Sequence, residues 1–289
     1  MAYAVDLTEG ALVLEGGGMR GAFTTGVLDF LLEKNIVFDH VYGVSAGACH
    51  ATSYLSLQSG RAHRVVANYV NDPRYMGYSN LLKGDDLFSR EFVYHTIPDE
   101  LEPFDYEMLR EYPGKLYVVV TDCKTGTPVY MPVEDLRRDI DKVRASASLP
   151  ILSHMVKIDG GEYLDGGMCD SIPVKKALAD GAKKCVVVLT RDPDYRKEPS
   201  SAYRLERLFH PRHKELALAM KNRHLMYNEL VEYVQELDKS GDIFVLRPLK
   251  ERLDVDRLER DPAKLQRLHD HGYETAEANY DRLMEYLNK

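Results

Sequence analysis

The pentapeptide Gly43-Val44-Ser45-Ala46-Gly47 places a serine where an apolar run of strand type gives way to a helical pattern. A G-x-S-x-G sequence in that context makes a sharp turn, and its geometry explains its composition. The serine takes strained backbone angles and the residues two positions away on either side approach closely, so only glycine-sized side chains fit there. Ala46 and Ala48 extend that tolerance for crowding. The turn also sets the hydroxyl at a helix N-terminus, where the macrodipole favours a developing anion. These are the conditions for a serine nucleophile, although the same residues also fit a helix whose N-cap happens to be serine.

A second set, Gly16-Gly17-Gly18-Met19-Arg20-Gly21, follows one apolar run and opens a helical pattern. Two chemistries compete for it. As G-x-G-x-x-G it matches a dinucleotide fingerprint, which requires an acidic residue at the end of the second strand to hold a ribose hydroxyl. That strand ends in Gly43-Val44-Ser45, and the nearest acid, Asp39, stands at its beginning, so the reading fails at its confirming residue. A row of backbone N–H groups at a helix start serves an oxyanion hole equally well, and three glycines let the backbone approach a substrate oxygen. The candidate donors are Gly16, Gly17, Gly18 and Met19. Arg20 either stabilises charge near this loop or pairs with a carboxylate to hold the first helix. The third set, Asp165-Gly166-Gly167, is a common turn when taken alone and gains weight from the other two. His154, His210, His213 and His224 follow the serine in chain order, as a Ser–Asp–His triad would need, but each sits in an undistinguished setting.

The elements that must carry these residues alternate in type. Ala11–Glu15 reads as the first strand, residues 20–34 as a helix with Phe23, Val27, Phe30 and Leu31 on one face, Val37–Val44 as the second strand and Ser45–Leu57 as the second helix. Such alternation predicts a parallel sheet covered by helices. Residues 61–112 mix aromatics and charges without a sustained period and read as helices and loops over the sheet. Lys115–Thr121 is a strand, Thr127–Met131 its partner, Glu134–Ala147 a helix stopping before Pro150, and residues 156–164 a hairpin around Asp159-Gly160-Gly161. Ile172–Asp180 reads as a helix with Pro173 in its first turn. Lys184–Thr190 is a buried strand and Asp192–Ser201 a loop. His213–Lys239 follows as a helix, Ile243–Leu246 as a last strand, and residues 262–287 as a terminal helix. The C-terminal helices read as packing without chemistry.

The three motifs, in this order and spacing, resemble the patatin-like phospholipase family: G-G-G-x-R-G at Gly16–Gly21, G-x-S-x-G at Gly43–Gly47 and D-G-G at Asp165–Gly167. Ala147-Ser148-Leu149-Pro150 is similar to that family's A-S-x-x-P segment, and the likeness covers roughly residues 8–190. The resemblance implies a three-layer α/β/α fold with a mostly parallel sheet. It implies a Ser45–Asp165 dyad in place of a triad, an oxyanion held by the glycine loop, acyl esters of lipids as substrates, and no metal or organic cofactor. Arg20, Gly21, Gly43, Gly47, Gly166 and Gly167 are then supporting members of the motifs.

The bulk composition agrees with this reading. The 289 residues suffice for one sizeable domain, and the formal charge of −8 argues against nucleic acid, whose phosphates need a basic face. It argues more weakly against tight docking on anionic lipid, leaving transient contact with a membrane surface open. No leader-like or membrane-spanning segment stands out, which gives the expectation of a cytoplasmic protein. Cys49, Cys123, Cys169 and Cys185 are scattered and read as free, mostly buried thiols. The expectation is a single domain, residues 1–289, that hydrolyses acyl esters. Alternatives are an acyltransferase or thioesterase using the same site, a binding module of low turnover, and a nucleotide-binding protein.

Overall fold

A computed structural model describes Tyr3 and residues 5–289. Its strands are β1 (Thr8–Leu14), β2 (Phe38–Val44), β3 (Lys115–Asp122), β4 (Pro128–Val133), β5 (Val156–Ile158), β6 (Gly161–Asp165), β7 (Cys185–Val188) and β8 (Phe244–Leu246). They form one sheet in the order β5-β6-β3-β2-β1-β7-β8, with β4 also paired to β3. The pairs β1–β2, β1–β7, β2–β3 and β7–β8 are parallel, and the β3–β4, β3–β6 and β5–β6 pairs are antiparallel.

The first half of the chain supplies helices α1 (Ala22–Glu33), α2 (Ala46–Leu55), α3 (Arg61–Tyr69), α4 (Tyr78–Leu82), α5 (Tyr106–Arg110) and α6 (Leu136–Ala147). The second half adds α7 (Val174–Ala179), α8 (Ala202–Phe209), α9 (Lys214–Ser240), α10 (Pro262–Ala278) and α11 (Tyr280–Asn288). Strand alternation sorts them into two layers. Leu12, Leu14, Val118, Val120, Val186 and Val188 face a core shared with α1, α2, α6 and α10. Ala11, Val13, Tyr42, Cys185 and Val187 face the other way, onto α7 and α9. Both faces are covered, which is why these strands read as continuous apolar runs. The result is the expected three-layer α/β/α arrangement.

Several local expectations are corrected. The helix expected from Arg20 begins as a 3₁₀ turn at Gly18–Gly21 before α1 takes over. Pro173 precedes α7 as its N-cap. The terminal helix is divided at Asn279 into α10 and α11. Helix α8, which falls between the expected loop and the long helix, was not anticipated. The C-terminal helices do pack: α10 crosses α1 closely, and a Cβ on Gly272 would stand 2.0 Å from the Phe23 carbonyl oxygen. All four cysteines are free, with Cys123 and Cys185 buried. Among the described residues no helix is long and apolar enough to cross a membrane.

Candidate active site

The edge of β3 brings Ser45 and Asp165 together. β4 pairs along one edge of β3, through residues 116–121. On the opposite edge β2 runs parallel to β3 and ends with Val44 opposite Val119. The same edge is then taken over by β6, which runs antiparallel and ends with Asp165 opposite Val120. Two strands of opposite direction therefore meet head-on. The residue leaving one is Ser45 and the last residue of the other is Asp165. The Ser45 hydroxyl donates to Asp165 Oδ2 at 2.8 Å. The other carboxylate oxygen accepts the Gly167 N–H at 2.7 Å. Both side chains are buried, Ser45 at 7% and Asp165 at 2% exposure, so the pair is shielded from bulk water.

Backbone bonds hold this junction. Ser45 adopts φ 55° and ψ −123°, a sparsely populated conformation that costs about 1–3 kcal/mol and persists only when its surroundings enforce it. Its N–H donates to Ser146 Oγ at 3.0 Å, and the Ser146 hydroxyl in turn donates to the Val119 carbonyl at 2.7 Å. The Asp165 N–H donates to the Ser148 carbonyl at 2.8 Å, and the Asp165 carbonyl accepts from Thr121 Oγ1 at 2.8 Å. Ser146 and Ser148, at the end of α6, thus clamp one partner each. Gly43 and Gly47 flank the turn, and a Cβ on Gly47 would lie 2.5 Å from the Leu14 carbonyl oxygen.

The glycine loop passes beside the same hydroxyl. A Cβ on Gly16 would come within 2.8 Å of the Ser45 Cβ. Gly18 has φ +58°, and a side chain there would also meet the Arg257 carbonyl at 2.5 Å. The amides of Gly16, Gly17 and Gly18 donate to no acceptor among the described residues. Met19 differs from the expectation: its N–H donates to the Arg257 carbonyl at 3.0 Å, which commits that amide elsewhere. Gly21 packs on His50, and Gly166 on the Val119 carbonyl. Asp39, the acid nearest in sequence to the position where the dinucleotide reading needs one, lies at the far end of β2 and accepts the Gly10 N–H at 3.0 Å.

Two cavities of opposite character meet at Ser45 and Arg257, which line both. One is walled by apolar residues from α3, α6 and the π-helical stretch Phe92–Leu101, including Val66, Val93, Ile97, Ile140 and Val143, and by Phe104 just beyond that stretch. The other is polar. Asp165 and Gly167 line it with Glu15 and five cations: Arg20, Arg191, Lys197, Arg223 and Arg257. Arg20 makes no salt bridge among the described residues and its buried Nε has no partner, so it does not tie down the first helix through a carboxylate. Burial and neighbouring Arg191 bring its guanidinium down to about 10. The C-terminal segment, expected only to pack, contributes Arg223, Tyr227 and Arg257 to this cavity.

The histidines stand apart. His154 is bonded to Asp86, His210 to Glu206, His213 to Glu162 and His224 to the Lys221 carbonyl. No histidine side chain bonds Ser45 or Asp165 among the described residues. His50, which sequence reasoning passed over, lines the apolar cavity, and burial holds it down to about 4, so it is a neutral imidazole at pH 7.

Residues 12–178 match the family model described as patatin-like phospholipase, and residues 213–288 match a second model described as a domain of unknown function. Among curated proteins, the chain is 29% identical over 248 residues to the uncharacterized protein YjjU of Escherichia coli K12, spanning 83% of this chain and 68% of that one. It is 26% identical over 190 residues to the probable lipid hydrolase 463L of Invertebrate iridescent virus 6, spanning 60% and 64%. The crystal structure of VipD from Legionella pneumophila aligns over 97% of this chain and 67% of that one, at 16% identity and a TM-score of 0.46.

Proposed function

Because the chain belongs to the patatin-like phospholipase family, we propose that it is a serine acyl-ester hydrolase of lipids, with Ser45 as nucleophile and Asp165 as its base. The observation that carries this reading is the 2.8 Å bond from the Ser45 hydroxyl to Asp165 Oδ2 at the junction of β2 and β6. An aspartate placed this close can take the serine proton as Oγ attacks an ester carbonyl. The carbonyl oxygen, becoming an oxyanion, is received by the free amides of Gly17 and Gly18. When the tetrahedral intermediate collapses, the bond to the alcohol breaks and the proton on Asp165 passes to the departing alkoxide. Water then attacks the acyl carbon while Asp165 takes its proton, the bond from that carbon to Ser45 Oγ breaks, Asp165 returns the proton to Oγ, and the acyl group leaves as a carboxylic acid that ionises in water.

The apolar cavity offers the acyl chain a place out of water, and burial of each methylene contributes about 0.8 kcal/mol. Transient contact with a lipid surface belongs to the same proposal. On α8 the side chains of Leu205, Leu208 and Phe209 are exposed, with Arg204 and Arg207 among them. The test is a series of p-nitrophenyl esters of graded chain length run beside intact phospholipids, with wild type and Ser45→Ala in parallel. Turnover that rises with chain length and vanishes in Ser45→Ala is expected. Turnover that survives in Ser45→Ala would remove the assignment.

A further inference from the structure

The polar cavity is charged in a way the hydrolytic step alone does not require. Five cations face it against two carboxylates. Of those carboxylates, Asp165 is held by Ser45 and Gly167, and Glu15 is already satisfied by the Thr190 N–H at 2.6 Å, the Thr190 hydroxyl at 3.1 Å and the Tyr227 hydroxyl at 2.7 Å. None of the five cations makes a salt bridge among the described residues. Among the described residues, Arg223 alone of the five makes a side-chain hydrogen bond, from its Nε to the Gly167 carbonyl at 2.6 Å. Burial first and then neighbouring Arg223 pull the Lys197 ammonium down to about 7. This surplus stands in a chain whose formal net charge is −8. Arg191 lies 4.0 Å over the Tyr195 ring and Lys197 4.5 Å over the Tyr227 ring, contacts that soften the surplus without neutralising it. Cations gathered in a partly dry cavity without paired carboxylates repel one another, and an anion that enters relieves that repulsion while gaining charge-assisted hydrogen bonds. Arginine forks suit the oxygens of a phosphate in particular.

We propose that this cavity binds a phosphate group carried by the alcohol part of the substrate, so that the preferred ester is an acylglycerol bearing a phosphomonoester. The inference rests on the hydrolase reading and adds the substrate class to it. Geometry sets the direction. Ser45 is the shared wall of the two cavities, so a substrate whose carbonyl carbon lies at its hydroxyl has one arm in each. Asp165, which returns the proton to the departing alcohol, faces the cationic side. The leaving group therefore occupies that side, and the acyl chain occupies the apolar one. Arg191, Lys197, Arg223 and Arg257 all lie beyond residue 178, where the match to the phospholipase model ends. With Arg20 supplied by the glycine-loop motif, the phosphate site is thus drawn mainly from the chain beyond residue 178, laid over the family's catalytic junction.

The test is binding without turnover, using the full chain with Ser45→Ala. Calorimetric titration compares octanoylglycerol 3-phosphate, octanoylglycerol, octanoylglycerophosphocholine, glycerol 3-phosphate and inorganic phosphate. The phosphomonoester is expected to bind at one site per chain, at least tenfold more tightly than the neutral ester. It should also bind more tightly than the zwitterionic ester, whose ammonium enters the same positive field. Glycerol 3-phosphate should compete with it. Adding Lys197→Met or Arg191→Gln is expected to cut the preference for the phosphomonoester threefold or more; using both guards against one variant failing to fold. Equal affinity for the phosphorylated and neutral esters would overturn the proposal, as would a preference unchanged in both variants. Binding of inorganic phosphate without a preference for the phosphorylated ester would mean a free-phosphate site and would overturn the head-group assignment. The hydrolase reading fails on a different result, a wild type that turns over none of these esters, and the binding comparison does not depend on that outcome.

Discussion

The junction that joins Ser45 to Asp165 and the walls around it are built by different means. At the junction, whose parts lie 101 and 120 residues apart in the chain, every constraint acts on backbone within hydrogen-bond or steric reach: a strand end, a strained residue, a glycine within two positions, and a hydroxyl or carbonyl from the end of α6 on each backbone amide. The walls also draw on distant parts of the chain, but as many separate side chains. The apolar cavity draws on α3, the stretch Phe92–Leu101 and α6, and the cationic one on the loop after β7, on α9 and on Arg257. A junction made of short-range constraints tolerates almost no change. A wall made of many separate side chains can be reshaped one residue at a time. That difference predicts large effects on turnover at the junction and selective effects on substrate choice at the walls.

The largest effect is expected at the dyad. Asp165→Asn should lower kcat by about 10⁴-fold or more, as loss of a member of a serine-nucleophile constellation does. Alanine at His154, His210, His213 or His224, or His50→Gln, should each leave a substantial fraction of activity, since none bonds Ser45 or Asp165. Steady-state kinetics on one soluble ester, with circular dichroism to verify folding, reads both. A dead histidine variant that remains folded would replace the dyad with a triad.

The contrast between junction and walls also explains what the sequence revealed. The G-x-S-x-G turn, the glycine loop and Asp165-Gly166-Gly167 were legible because steric limits on a crowded backbone dictate residue type at fixed spacing. The strands were legible because both sheet faces are covered. Ser146 and Ser148 carried no such signal: they act through one hydroxyl and one carbonyl, in a segment that stood out only by family likeness. Residues 61–112 escaped a detailed reading because they wrap a cavity and present no single periodic face. Their π-helical stretch, which contains Pro98, breaks the 3.6-residue repeat outright. The cations of the polar cavity are separated by long stretches of sequence, so only folding brings them together. Met19 was misplaced among the oxyanion donors because sequence shows a row of amides but not the Arg257 carbonyl that occupies one of them.

A smaller but still severe effect is expected in the glycine loop. Gly18→Ala must carry a side chain at φ +58° against the Arg257 carbonyl. Displacing an oxyanion donor should lower kcat by about 10²- to 10³-fold at near-constant KM. A rise in KM alone would make the loop a substrate contact.

At the apolar wall the change should be selective. Ile140→Phe narrows the cavity, and long-chain esters should lose about 10- to 200-fold in kcat/KM, the range that a few methylenes command in a pocket. Short esters should change far less, so the chain-length optimum shifts downward. A uniform loss across the series would show that Ile140 does not bound the acyl site.

The mildest effect is expected at the support beneath the dyad. Ser146→Ala removes the acceptor of the Ser45 N–H and the donor to the Val119 carbonyl. Leaving those buried groups unpaired should cost about 1–3 kcal/mol of stability, measured by denaturant unfolding. It should lower kcat by about tenfold through a loosened turn. Full stability with full activity would remove Ser146 from the account.

The most direct test of the central claim is covalent labelling with a fluorophosphonate probe followed by peptide mapping. Wild type is expected to carry the label on Ser45 and on no other serine, and Asp165→Asn to label far more slowly at the same residue. Label on a different serine, or Asp165→Asn reacting at the wild-type rate, would contradict the assignment of Ser45 as a nucleophile activated by Asp165.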